Sequence, residues 1–231
     1  MKAKATSITF CVLMLAFANL TSAYDRVRDV CQWNTFSLDK KLSDRWSVGL
    51  DEELRFHQNV TQVNQSFTNV GVTFKAFKNV KISVVYRLIQ RYQPNRDVSI
   101  RHRIYTDLTF KKKSNYLTYI YRTRFQTQVR DYYSSPDGQN LENYWRHKFE
   151  VRYNSKGNLK PYVGTEFYYQ LQNVRLREGN HRFVSSRYQL GLDYIINKKN
   201  SIGAYYMLKK EFNINAAEDA NVLGVTYGIS L

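Results

Sequence analysis

The stretch Tyr116-Leu117-Thr118-Tyr119-Ile120-Tyr121-Arg122-Thr123-Arg124-Phe125-Gln126-Thr127-Gln128-Val129-Arg130 alternates with period two. Successive side chains of an extended strand point to opposite faces, so Leu117, Tyr119, Tyr121, Thr123, Phe125, Thr127 and Val129 share one face. Thr118, Ile120, Arg122, Arg124, Gln126, Gln128 and Arg130 share the other. One face suits lipid and the other suits water. Strands of soluble proteins average about 5 to 6 residues, far fewer than here. At about 3.3 Å per residue and a tilt of about 40°, a run of this length covers the ~25 Å apolar band of a membrane barrel.

The same pattern continues on both sides. From Val80 to Tyr92, Val80, Ile82, Val84, Tyr86 and Leu88 oppose Lys81, Ser83, Arg87 and Arg91. In the next run Ile100, Ile104, Leu108 and Phe110 oppose Arg101, Arg103, Asp107 and Thr109. Further alternating runs cover 46–58, 66–76, 142–153, 161–173, 183–196, 201–212 and 221–231, with a weaker one at 31–42. The reading is an all-β chain forming a single antiparallel transmembrane β-barrel of about ten strands, with twelve as the alternative, because single-chain bacterial barrels have even strand numbers. On the ten-strand reading, 31–42 is a rim or lumenal segment paired loosely with 46–58. On the twelve-strand reading, residues 24–30 also rise through the barrel.

The connections alternate in length. Short ones fall at 77–79, 112–115, 154–160 and 197–200, and mostly longer ones at 59–65, 94–97, 132–141, 174–182 and 213–220. Outer-membrane barrels have short periplasmic turns and longer outer loops, which places the short set in the periplasm. Leu223, Val225, Tyr227, Ile229 and Leu231 alternate to the last residue. They resemble the terminal strand signal through which the barrel-assembly machinery engages such chains, with leucine where an aromatic is commoner.

The start of the chain sets the compartment. Lys2 and Lys4 precede the apolar run Ile8 to Ala18, and Thr21-Ser22-Ala23 supplies small residues for cleavage. That is the layout of a secretory signal over residues 1–23, leaving 24–231 as the barrel. A spanning helix needs about 20 apolar residues, more than this run holds. Loss of Lys2 and Lys4 takes the formal charge from +16 to +14, and Cys31 remains the only cysteine, so no intramolecular disulfide supports the fold. Such a basic excess usually points to nucleic acid, but a secreted chain does not meet it. The bases also recur at alternate strand positions, which assigns them to one face of a sheet. Outer-membrane lipids, lipopolysaccharide and small anions are the partners this implies, and the location is the cell outer membrane. Nineteen Tyr and thirteen Phe against three Pro and ten Gly favour strands.

Trp33-Asn34-Thr35-Phe36-Ser37-Leu38, then Lys41-Leu42-Ser43-Asp44-Arg45-Trp46-Ser47-Val48 and Asp51-Glu52-Glu53-Leu54-Arg55-Phe56, resemble the N-terminal hairpin of the Bacteroidetes outer-membrane barrels catalogued as domain of unknown function 2490. Tyr86-Arg87, Arg101-His102-Arg103 and Tyr188-Gln189-Leu190-Gly191-Leu192-Asp193-Tyr194 are compatible with it. The resemblance spans nearly the whole chain after residue 23. It implies a fold and a location, and brings no activity with it.

Candidate chemistry is sparse. His57, His102, His147 and His181 are the only histidines. Alternation puts His102 and His147 on the apolar face, and His57 on the lumenal side near Asp51, Glu53 and Arg55, as a solvated rim residue. No catalytic residue is assigned. No His or Cys spacing matches a metal site, and no cofactor is implied. The informative feature is a lumenal ladder of ions: Glu53, Arg55, Lys75, Arg87, Arg91, Arg101, Arg103, Asp107, Arg122, Arg124, Arg146, Lys148, Glu150, Arg152, Glu166 and Asp193. Within it, Arg87, Arg91, Arg101, Arg103, Arg122 and Arg124 come from three consecutive strands and form a contiguous positive stripe, because few inward acids on those strands, chiefly Asp107, could neutralise them. Two functions fit: a non-enzymatic barrel, structural or an anion-preferring pore for small solutes, or an outer-membrane enzyme or glycan- or lipid-binding barrel using its outer loops, Tyr132-Tyr133 among them. Trp33, Trp46, Tyr92, Tyr116, Tyr132, Tyr133, Trp145 and Tyr162, near strand ends, are expected in the two headgroup girdles.

Overall fold

A computed structural model describes residues 28–93, 97–130, 141–173, 181–213 and 217–231. The expected signal over residues 1–23 and the loop residues Tyr132 and Tyr133 lie outside the described residues. Among the described residues eleven strands form the wall: β1 (Arg28–Lys41), β2 (Trp46–His57), β3 (Gln62–Phe77), β4 (Val80–Tyr92), β5 (Val98–Lys113), β6 (Leu117–Arg130), β7 (Leu141–Tyr153), β8 (Leu159–Asn173), β9 (Arg182–Ile195), β10 (Asn200–Glu211) and β11 (Asp219–Ser230). Neighbours in sequence pair antiparallel, and β1 closes the barrel by pairing parallel with β11.

Eleven described strands correct the expectation of about ten, and of twelve as its alternative. The 31–42 segment is no rim element. It is a full wall strand, matched from Arg28↔Asp219 to Asp39↔Ser230 on one side and from Gln32↔Phe56 to Lys41↔Ser47 on the other. The parallel seam is what permits an odd count. The sequence signal was weak because the first half of β1 inverts the usual pattern. Cys31 and Trp33 are buried inside the barrel, whereas Gln32 and Asn34 share the outward face with Phe36.

The β2–β3 connection is also tighter than the expected 59–65, because β3 already begins at Gln62. Gln58, Asn59 and Val60 take positive φ angles of 51°, 54° and 67°. The Asp29 carboxylate accepts the backbone N–H groups of Gln58 and Asn59, each at 3.0 Å. One carboxylate on β1 thus satisfies donors that this left-handed run would otherwise leave without a partner.

Strand pairing runs obliquely around the wall. From Ser47 the partners pass through Thr73, Ser83, Asp107, Arg124, Arg146, Tyr168 and Ser185 to Glu211, at the far end of β10 from its start beside β11's C-terminus. In the other direction Ser47 pairs with Lys41, whose N–H donates to the Leu231 carbonyl at the end of the chain. Such a stagger is the tilt that closing a barrel demands.

Alternation then sorts the side chains. Val70, Val84, Ile104 and Phe125 lie on the outer wall, each more than half exposed, whereas Phe67, Ile89 and Val222 are buried inside. Cys31, Trp33, Met207, Ala220 and Val222, with Tyr205 against them, make an interior apolar cluster beneath the seam. Tyr205 packs on Gly224, and Tyr162 on Gly191; a Cβ on either glycine would clash with the ring, at 2.0 Å and 2.3 Å from its nearest atom.

Gly224→Ala must displace Tyr205 from the seam cluster and is expected to destabilise the barrel by about 1–3 kcal/mol. Gly157→Ala, with nothing within 4 Å of the added carbon, should change stability by less than about 0.5 kcal/mol. Urea unfolding of the refolded protein in detergent, followed by tryptophan emission, measures both; equal midpoints for the two variants would reject the packing at the seam.

Candidate functional site

At one level of the interior, guanidinium groups and aromatic rings alternate from strand to strand. The Arg55 guanidinium on β2 lies 3.5 Å from the centre of the Trp33 ring on β1 and 4.4 Å from Phe67 on β3. Arg87 on β4 lies 4.6 Å from Phe67 and 5.8 Å from Tyr105 on β5, and Arg124 on β6 lies 3.7 Å from Tyr105. On the other side, Arg146 on β7 covers Tyr168 on β8 at 4.2 Å. Arg187 on β9 lies 4.6 Å from Tyr168 and 5.2 Å from Trp33.

Ion pairs bridge the remaining gap. Asp107 takes both forks of Arg124, Nε and Nη2 each at 2.6 Å, and Arg122 approaches it at 3.9 Å. Arg122 donates to Glu166 at 2.6 Å, and Arg146 holds the same carboxylate through Nη2 at 2.9 and 3.0 Å. The chain of contacts therefore returns to Trp33 and forms a closed belt. A desolvated guanidinium over a ring contributes up to about 2 kcal/mol. Stacking uses the faces of the guanidinium and leaves its N–H edge free to meet an acceptor.

The belt is electrostatically unequal. Among the described residues, Arg55, Arg87, Arg103, Arg122, Arg124, Arg146 and Arg187 outnumber the acids beside them, Asp51, Glu53, Asp107 and Glu166. These arginines line a cavity of about 690 Å³ that extends past Gln126, Gln128 and Tyr144 to Arg130, Glu142 and Glu211, the residues flanking the longer connections. Its walls carry the amides of Gln65, Gln126, Gln128 and Gln170 among the charges.

Of the six arginines named from sequence, Arg87, Arg101, Arg103, Arg122 and Arg124 line this cavity. Arg91 lies exposed near the end of β4, outside the lining. Asp107, the chief acid expected on these strands, pairs with Arg124, but Arg122 takes its acid from β8, two strands away, so the stripe is more neutralised than adjacent strands alone implied. Trp33 and Tyr162 are corrected: both are buried in the interior, under Arg55 and Arg152 respectively, and neither lies in an outward girdle. Trp46, Tyr92, Tyr116 and Trp145 are exposed. Strand phase carries this distinction, because Trp33 shares the parity of Cys31 and is out of step with the outward Phe36. His102 and His147 stand on the outer wall, where their Nδ1 atoms meet the hydroxyls of Tyr86 at 2.7 Å and Tyr121 at 2.8 Å. His57 is half-buried at the end of β2 and lines no part of the cavity.

A closed all-β wall around a charged interior cavity defines the class, a β-barrel with a charged interior. The chain belongs to the family described as protein of unknown function (DUF2490), whose model matches residues 32–220. A solved structure described as "NanC porin structure in rhombohedral crystal form" is similar, with a TM-score of 0.52 at 13% identity, covering 88% of this chain and 99% of that chain. At that identity the likeness concerns the fold. A search of curated proteins gives no match.

Glu166 is the acid on which Arg122, Arg146 and, at 3.8 Å, Arg187 all depend. Glu166→Gln is expected to destabilise the barrel by about 3 kcal/mol, the lower end of the range for removing one partner of a buried pair, because the cavity can hold water. Arg91→Gln should leave stability unchanged. Urea midpoints of the two variants check this, and a Glu166→Gln midpoint equal to wild type would remove Glu166 as the hub.

Proposed function

We propose that this protein is a porin-like barrel of the outer membrane, exported by a cleaved signal over residues 1–23, whose basic interior admits small anions. The observation that carries the reading is the excess of guanidinium over carboxylate around one cavity. In a narrow bore with low-dielectric walls, fixed charges of one sign concentrate counter-ions and repel co-ions. The belt holds those charges in place, because each stacked arginine is confined by a ring on at least one side.

The membrane setting is supported by the outer wall and by strand length. The strands run from 12 to 16 residues, and the outer wall presents valine, isoleucine, leucine and aromatic side chains. In a bilayer, the short turns would face the periplasm and lipopolysaccharide would surround the other end. The C-terminal strand β11, with Leu223, Val225, Tyr227 and Ile229 outward, would be the element engaged by the barrel-assembly machinery. Export without residues 1–23 and heat-modifiable mobility in the outer-membrane fraction are the expected behaviour; recovery as a soluble periplasmic monomer would overturn the reading. Arg at position 121, on the outer face, is expected to cost about 2–4 kcal/mol if that position lies near the bilayer midplane, whereas Arg already occupies position 122 inside.

Reversal potentials in planar bilayers under a salt gradient test the anion preference. The wild-type protein should favour chloride over potassium, and changing Arg101, Arg103, Arg122 and Arg124 together to Gln should weaken that preference. The preference should also fall as salt shortens the screening length from about 10 Å at 0.1 M to about 3 Å at 1 M. Cation preference, or a preference unchanged by the four substitutions, would contradict the proposal.

A further inference from the structure

Not every arginine of the belt is neutralised to the same degree. Arg124 and Arg122 each hold a carboxylate at 2.6 Å, Arg146 holds one at 2.9 Å, and Arg55 is paired with Glu53. Arg87, Arg103 and Arg187 differ. The nearest acid to Arg87 is Glu53 at 4.0 Å, already taken by Arg55. The nearest to Arg187 is Glu166 at 3.8 Å, already shared by two arginines, and the buried Nε of Arg187 has no acceptor. Among the described residues, the Arg103 guanidinium donates only to the neutral amide oxygen of Gln128, through Nε at 3.0 Å and through Nη2, and no carboxylate lies within 4.0 Å of it.

All three line the one cavity, from β4, β5 and β9. Arg87 and Arg103 are direct partners across the β4–β5 pair, and Arg187 lines the same cavity from β9. A part-buried cation without a counter-charge is costly, and amides offset little of that cost. A guanidinium fork presents paired N–H donors matched to the oxygens of phosphate, sulfate or carboxylate; a halide offers no such pair of acceptors. Donors arriving from three separate strands suit a ligand with acceptors in several directions.

We infer that Arg87, Arg103 and Arg187 form a saturable site for one small tetrahedral dianion, inorganic phosphate or sulfate, seated on the belt. The inference rests on the anion-accepting interior proposed above and adds a ligand class and a consequence. A dianion held there occupies the bore, so it slows the passage of chloride. The barrel then handles oxyanions as bound ligands, and halides as permeating counter-ions.

Isothermal titration of the refolded full-length chain with inorganic phosphate, and separately with sulfate, at ionic strength held constant with sodium chloride, tests the site. Saturable binding near one per barrel is expected for both anions. Arg103→Gln and Arg187→Gln should each weaken it at least tenfold, Arg103→Lys less, and Arg91→Gln not at all. Heat-modifiable gel mobility checks that each variant has folded; if Arg103→Gln does not fold, the wild-type and Arg103→Lys titrations decide. Heats that track ionic strength alone, or Arg103→Gln binding like wild type, would overturn the inference. Bilayer recordings separate it from the pore reading: anion-selective conductance that phosphate does not block overturns the site and leaves the pore, whereas saturable binding without conductance upholds the site and removes the pore.

Discussion

The interior of this barrel depends on the stacking of guanidinium groups against aromatic faces. Arginine can be buried among other arginines only if something other than bulk water accommodates its charge. Here the accommodation is divided: rings take the faces of Arg55, Arg87, Arg124, Arg146 and Arg187, and Glu53, Asp107 and Glu166 take the edges of some of them. Because ring and cation come from neighbouring strands, each contact also fixes register. A one-residue slip of any strand would turn its belt residue outward.

The seam follows from the same arrangement. Trp33 receives Arg55 from one side and Arg187 from the other, so β1 must lie in the wall with its odd-numbered residues inward. The apolar cluster of Cys31, Met207, Ala220 and Val222 packs with Trp33 under the parallel β1–β11 pair. Parallel ladders are slightly less stable per residue than antiparallel ones, and this cluster supplies the packing at that position. The belt thus links closure of the barrel to the charge pattern of its bore.

What was legible in the sequence tracked how cleanly each strand alternates. β6 reads without ambiguity because arginine and glutamine hold one parity and tyrosine, phenylalanine and valine the other; its limits, faces and inward arginines follow directly. β1 reads poorly because its interior residues are apolar and two outward ones are amides, so its membership of the wall waited on pairing partners that a single strand cannot reveal. The belt itself was half visible. The cations were legible by parity, but Trp33, Phe67, Tyr105 and Tyr168 were not singled out as their partners, since aromatic residues in a barrel suggest the outer girdles. The reach of Glu166 to Arg122 crosses an intervening strand, and only the closed curvature of the wall brings them together. Arg91 has the right parity but lies too near the strand end to line the cavity.

Trp33 is where the belt and the girdle expected from sequence make opposite demands of one residue, and the protein has only two other tryptophans, Trp46 and Trp145. A variant with both replaced by phenylalanine, reconstituted in liposomes whose lipids carry brominated acyl chains, isolates the emission of Trp33. The belt predicts emission unquenched by the brominated chains and altered when Arg55 is changed to Gln, while a protein retaining Trp145 alone is strongly quenched. Quenching of Trp33 to the same extent as Trp145 would place it on the outer wall and contradict the belt.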